Sequence, residues 1–290
     1  MAEFQPFGAP YFHGGCDMRT VSGADLFAPV SGMLEAGHYS YSTNTDGSMT
    51  KYWMPWPEQG DETYFEVAVV GDDGNRYELH HVDRSTLPTE IVNRLNAGGG
   101  RIEAGALLGH VIYWPGGGYH HTHYNIVLPS GRRVNPEYAS PLLPDHLAPE
   151  LLGLYAIMPD GAVRDFASGT FRSAPSEFIV DVQDKLDSSV YTHPPTFLRL
   201  KFASGQETGW DFRTTLSRSD GAFPPLWDFF YNRLRAPDGS SRYTNGGYGT
   251  GYSLIRLKIP QGATGAFTIE VGDIAGNITQ RSGVLAPSLE

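Results

Sequence analysis

Apolar residues along this chain recur in short runs with a period near two, broken by glycine, proline, asparagine and aspartate. That rhythm predicts strands joined by turns. Residues 64–70 and 76–82 flank Gly71-Asp72-Asp73-Gly74-Asn75, and two β-rich runs around such turn residues predict a hairpin. On its second strand Leu79 and His81 share one face, while Glu78 and His80 share the other. Further strands are predicted over residues 178–182, 197–202, 253–259 and 266–271, a regular spacing that suggests a β-sandwich. No long run has helical period. The fold class read from the pattern is mainly β.

Residues 35–62 interrupt this regularity. They carry Tyr39, Tyr41, Tyr52, Trp53 and Trp56 beside Pro55 and Pro57, and read as a long insertion. Insertions of this length are usually binding loops, so the aromatics suggest a groove wall or a satellite hydrophobic cluster under a loop.

Tyr119-His120-His121-Thr122-His123-Tyr124-Asn125 runs into Ile126-Val127-Leu128, so the histidines open a strand. His121 and His123 then point to one side and His120 to the other. Two adjacent imidazoles suggest a metal, because neutral imidazole is the commonest protein ligand for zinc. Upstream, His13 and Asp17 are separated by an even number of positions with Gly14 and Gly15 between them. Such a segment brings a histidine and a carboxylate together at a ligand, or caps a turn with the aspartate and leaves the histidine structural. Cys16 is aimed away from Asp17 by strand alternation and reads as a packed thiol.

Composition narrows the function classes. With 290 residues, 40% of them hydrophobic and 12% aromatic, the chain holds enough apolar material for two packed domains. A formal charge of -11 excludes nucleic acid as the expected partner, since phosphate binding needs a basic face. The single cysteine excludes an intramolecular disulfide. No apolar stretch approaches the ~20 residues of a membrane span, and the N-terminal stretch lacks a signal-peptide core. An exported protein would therefore have lost its signal. Nine of the ten histidines precede residue 150, which places histidine chemistry in the N-terminal half.

The order of motifs resembles the lysostaphin-type (LytM-type) zinc metallopeptidases. The resemblance is carried by His13-Gly14-Gly15-Cys16-Asp17, Ala28-Pro29-Val30-Ser31-Gly32, His81, the turn Glu103-Ala104-Gly105-Ala106-Leu107-Leu108-Gly109, His121-Thr122-His123 and Val134-Asn135-Pro136. It covers about residues 8–142 and implies an antiparallel β-sheet peptidase domain. It further implies that His13, Asp17 and His123 bind Zn2+, and that His81 and His121 are the catalytic pair beside it. These two would take a proton from water and stabilise the oxyanion or protonate the leaving amine. The substrate implied is a peptide bond of bacterial peptidoglycan, cut outside the cytoplasm by a periplasmic or secreted enzyme. The chain departs from the family at Tyr124-Asn125, where Phe-Glu is usual, and at the approach Trp114-Pro115-Gly116-Gly117-Gly118-Tyr119. Neither change removes a ligand, but substrate preference does not transfer.

The domains expected are residues 1–145 for the peptidase, 146–175 for a connector with a strand at 155–158, and 176–290 for an accessory β-sandwich. Residues 272–279 are similar to the last strands of bacterial immunoglobulin-like modules. Residues 243–252, rich in glycine and tyrosine, read as a plain loop or a glycan-facing one. A monomer is expected. The alternative function is a non-catalytic zinc-containing cell-wall binding or regulatory module, which has no need of His81 and His121 as well as three ligands. A cupin-type oxygenase is disfavoured, because Val127 and Leu128 stand where it needs a glutamate, and His146 and His193 lie in poor contexts for its later histidine.

Overall fold

Alternating side chains decide most of this architecture. The computed structural model describes residues 2–4, 10–12, 15–43, 49–115, 118–138, 144–166, 170–171, 174–187, 192–193, 195–214, 226–229, 231 and 253–286. The fold is mainly β, 50% strand and 9% helix, with several antiparallel sheets. The chain divides into two compact units, one of Gly15–Pro136 and one of Met1–Gly14 with Glu137–Glu290. Among the described residues no helix is long and apolar enough to cross a membrane.

The second unit opens with the antiparallel pair β1 (Ala2–Phe4) and β2 (Pro10–Phe12). The unit Gly15–Pro136 contains β3 (Cys16–Arg19), β4 (Asp25–Phe27), β5 (Gly32–Thr43), β6 (Met49–Pro55), β7 (Phe65–Gly71), β8 (Arg76–His80) and β9 (Val82–Asp83). Helix α1 (Thr89–Asn96), β10 (Arg101–Ile102), β11 (Leu107–Val111), β12 (His121–Val127) and β13 (Arg133–Val134) complete it. The main sheet runs β10-β5-β7-β8-β12-β13, with β3 also on β12 and β6 also on β5; β4-β11-β9 form a smaller sheet. Phe65, Val67 and Val69 of β7 join Leu34, Leu79, Ile126 and, from α1, Ile91 and Leu95 in one core. Each such side chain stabilises the fold by about 1.5–3 kcal/mol on burial. Glu66, between two of them on β7, must face the other way.

The expected hairpin forms, with Val70 opposite Arg76 and Glu66 opposite His80. Much of residues 35–62, expected as a loop insertion, is paired strand. β5 extends through Thr43 and pairs back on β6 with Tyr39 opposite Trp53, their rings 5.0 Å apart. Aromatic residues favour a pleated, half-buried surface, and cross-strand aromatic pairs stabilise it, so their density marked strands.

The other unit is a sandwich. Its strands are β14 (Glu150–Ile157), β15 (Val163–Asp165), β16 (Thr170–Phe171), β17 (Glu177–Lys185), β18 (Thr192–His193), β19 (Phe197–Phe202) and β20 (Glu207–Asp211). Helix α2 (Leu226–Phe229), β21 (Ser253–Lys258), β22 (Gly265–Gly272) and β23 (Ile278–Leu285) follow. One sheet is β15-β14-β17-β18 with β21 on β17; the other is β16-β23-β22-β19-β20. Phe178, Val180 and Val182 from β17 meet Leu198, Leu200, Ile269 and Val271 from the opposite sheet in a single core. Along β19 buried residues alternate strictly with partly exposed ones, which is the pattern of a sheet with one face in the core.

The segment expected as a connector supplies β14, whose Leu154 and Ala156 are fully buried in this core. It pairs along its length with β17, with a register shift between Leu151 and Gly153. Its apolar run was the signal, because a linker has no use for side chains that must be buried. Residues 243–252 lie outside the described residues.

Candidate functional site

The site in the unit Gly15–Pro136 is built where β3 lies against β12. Their antiparallel register sets Asp17 directly opposite His123 and Cys16 opposite Tyr124. Directly opposed residues share a face, so the carboxylate and the imidazole meet. His123 Nδ1 lies 2.8 Å from Asp17 Oδ1. A carboxylate only accepts, so Nδ1 carries the proton in this contact. Gly15 makes the approach possible: a Cβ there would collide with Asn125 Oδ1 and the Tyr124 carbonyl.

His121, two residues along β12, turns to the same side, its Nε2 3.8 Å from Asp17 Oδ2. Its Nδ1 lies 2.9 Å from the Tyr119 carbonyl oxygen, and the Tyr119 hydroxyl donates to Asp17 Oδ2 at 3.4 Å. His120 turns away as expected; its Nδ1 accepts from the Trp114 N–H. His81 lies just past the end of β8 with its ring 4.6 Å from His121 and 4.6 Å from Trp114. Its Nδ1 is 2.6 Å from the Thr63 carbonyl oxygen. A carbonyl oxygen cannot donate, so both His81 and His121 donate from Nδ1, which leaves Nε2 of each ring for other partners.

His81 has φ 64°, the left-handed region that only a few per cent of non-glycine residues adopt, histidine more readily than most. Strain of this kind persists where surrounding contacts hold it and gathers at functional sites. Burial pushes the His81 pKa down to about 4, beyond what the Thr63 hydrogen bond restores, and the His121 and His123 charges lower it further. The ring is therefore neutral at pH 7.

His81 does not alternate with His80 as the strand pattern expects, with one of them toward solvent. Both are buried. His80 ends β8 among groups that the sequence reading passed over. Its Nε2 lies 3.1 Å from Glu66 Oε2 and 3.4 Å from Glu78 Oε2. Arg76 bridges Glu66 at 2.7 Å and pairs with Glu78, while the Asn125 amide donates to Glu78 Oε2 at 2.8 Å. Burial alone would raise the Glu78 carboxyl; the His80 hydrogen bond, the Arg76 and His80 charges and Asn125 outweigh it and hold it at about 2. Glu66, Glu78 and His80 have ligand atoms close enough to share a cation, but the Arg76 guanidinium already fills that role. The His80 ring meets His123 edge-on at 5.1 Å, so this network supports the back of the site. A glutamate inside the apolar run Phe65-Glu66-Val67-Ala68-Val69 was its signal in the sequence.

No family profile matches this chain and no curated protein resembles it. A solved structure, dimeric latent PorU from Porphyromonas gingivalis, aligns with 13% identity and a TM-score of 0.25, over 90% of this chain and 20% of that one. This chain thus spans about a fifth of that protein's length, and a likeness so weak carries no argument. The functional reading rests on the residues.

Of the three expected ligands, Asp17 and His123 meet, and His13 lies outside the described residues. Asp17 and His123 bring one carboxylate and one imidazole together, both ligand types that zinc accepts.

Proposed function

We propose that this protein is a zinc-dependent endopeptidase that hydrolyses peptide bonds, cross-links or stem peptides, in bacterial peptidoglycan, acting as a monomer in the periplasm or outside the cell. The observation that carries the reading is the pairing of Asp17 with His123 across adjacent strands, with the rings of His121 and His81 beside it. Asp17 and His123 would hold the zinc, with His13 as the third ligand that the motif order implies. Zinc, when bound, acidifies water and polarises the scissile carbonyl.

The chain's own groups do the rest. His121 and His81, tied at Nδ1 to backbone carbonyls, accept a proton from water at Nε2 and return it to the leaving amine. The carbonyls of Tyr119 and Thr63 fix the tautomer, as a carboxylate does in other histidine bases. Trp114 packs against both rings, keeping water from their faces. The sandwich serves as an accessory, immunoglobulin-like positioning domain.

Purified sacculi incubated with the protein test the proposal. Soluble peptide fragments are expected, lost on chelation and restored by zinc, their masses naming the bond. Sacculi that stay intact with zinc-loaded, folded protein that nevertheless sediments with them would overturn the enzyme reading in favour of a binding module.

A further inference from the structure

Three carboxylates from separate segments of the sandwich unit converge. Asp145 precedes β14, Asp184 stands near the end of β17, and Asp273 follows β22, on the opposite sheet. One ligand oxygen from each lies within 4.8 Å of the other two. All three residues are at least nine-tenths buried. Burial of like charges is costly, and only a proton or a cation relieves it.

Hydrogen bonds meet part of that cost. Asp273 Oδ1 accepts the N–H groups of Gly276 and Asn277 at 2.7 and 2.8 Å, and Oδ2 accepts the Asn277 side-chain amide at 2.8 Å, which folds the turn after β22. Asp145 Oδ1 accepts the Leu147 N–H at 3.1 Å. Asp145 Oδ2, by contrast, is shut off from solvent and accepts no hydrogen bond. A carboxylate oxygen in that state is short of positive charge. Asp184 Oδ1 accepts the Lys185 N–H at 2.8 Å.

We propose that Asp145, Asp184 and Asp273 bind a calcium ion that clamps the two sheets of the sandwich to the segment entering β14. The donors are oxygen alone, with no imidazole or thiolate among them, which suits a hard cation rather than zinc. Oxygens within 4.8 Å of one another can share one ion at a Ca–O distance of about 2.3–2.6 Å, and magnesium parts more reluctantly with its water. The ion meets the unpartnered Asp145 oxygen. This site is independent of the peptidase reading, because it draws on no residue of Gly15–Pro136.

Calorimetric titration of calcium chloride into the chelator-treated full chain, followed by thermal unfolding, tests it. One ion per chain is expected, with a Kd of roughly 10⁻⁵–10⁻³ M. At about 100 times that concentration the unfolding midpoint of the sandwich rises by roughly 5–10 °C. Asp184→Asn and Asp145→Asn each weaken binding at least ~10-fold. Without calcium both variants melt no lower than the parent, because a repelling charge has gone. Absence of heat at millimolar calcium in the parent chain would overturn the site and leave a shared proton as what relieves the cluster. A calcium response unchanged in both variants would overturn the assignment equally.

Discussion

His123 and Asp17 stand opposite each other on neighbouring antiparallel strands, Nδ1 to Oδ1 at 2.8 Å. That relationship depends on Gly15, the residue that lets β3 close on β12 without striking Asn125 or the Tyr124 carbonyl. Gly15→Ala must therefore shift β3 and the carboxylate with it. The expected result is a folded protein whose zinc affinity is lowered at least ~10-fold, since small displacements of a ligand's support cost that much. Zinc titration against a chromogenic chelator measures it.

His121 and His81 each donate from Nδ1 to a backbone carbonyl and are assigned no metal. His121→Ala and His81→Ala are expected to keep zinc and to lower kcat for fragment release by about 10²–10⁴-fold, the range of a general acid or base. Fragment release from sacculi, with metal content measured on the same samples, separates this from loss of the ion. Parent-like turnover in either variant would remove that histidine from the mechanism.

His81 also sets a pH dependence of stability. Its pKa is about 4 in the folded, metal-free protein against an ordinary 6.5, so the unfolded chain binds the proton first. Its effect on stability is constant above about 6.5 and turns against the fold as pH falls from there toward 4. Urea midpoints of the chelated protein at pH 8 and pH 5 should drop more in the parent than in His81→Asn. Asparagine does not titrate and tolerates the left-handed backbone at this position.

The strands with clean alternation were readable from sequence alone. Phe197–Phe202 is bounded as its pattern predicts, and the Phe65–Gly71 to Arg76–His80 hairpin turns at its glycine-rich centre. β5 and β6 were obscured because a dense set of aromatics reads equally as a loop cluster or as paired strands; only the register of Tyr39 on Trp53 separates the two. At the site, the shared face of His121 and His123 followed from the period of a strand. Their meeting with Asp17 did not, because no local pattern encodes which strands pair. The left-handed turn at His81 was equally invisible, since nothing in Leu79-His80-His81-Val82 demands it.

Arg76 balances two carboxylates that the fold has buried, Glu66 and Glu78. Arg76→Met keeps much of the side chain's bulk and removes the charge. It is expected to cost about 3–5 kcal/mol of stability, because one partner's loss leaves buried charges uncompensated. Adding Glu66→Gln should recover part of this. Urea unfolding of the three proteins measures the difference, and a cost below about 1 kcal/mol, the range of an exposed ion pair, would show that water reaches the cluster.

Zinc content per chain in the parent, Asp17→Ala, His123→Ala and His121→Ala proteins, measured after dialysis against trace zinc, tests the central claim most directly. One equivalent in the parent and in His121→Ala, with little or none in Asp17→Ala and His123→Ala, is the result expected. Equal zinc in all four proteins, or none in the parent, would contradict it.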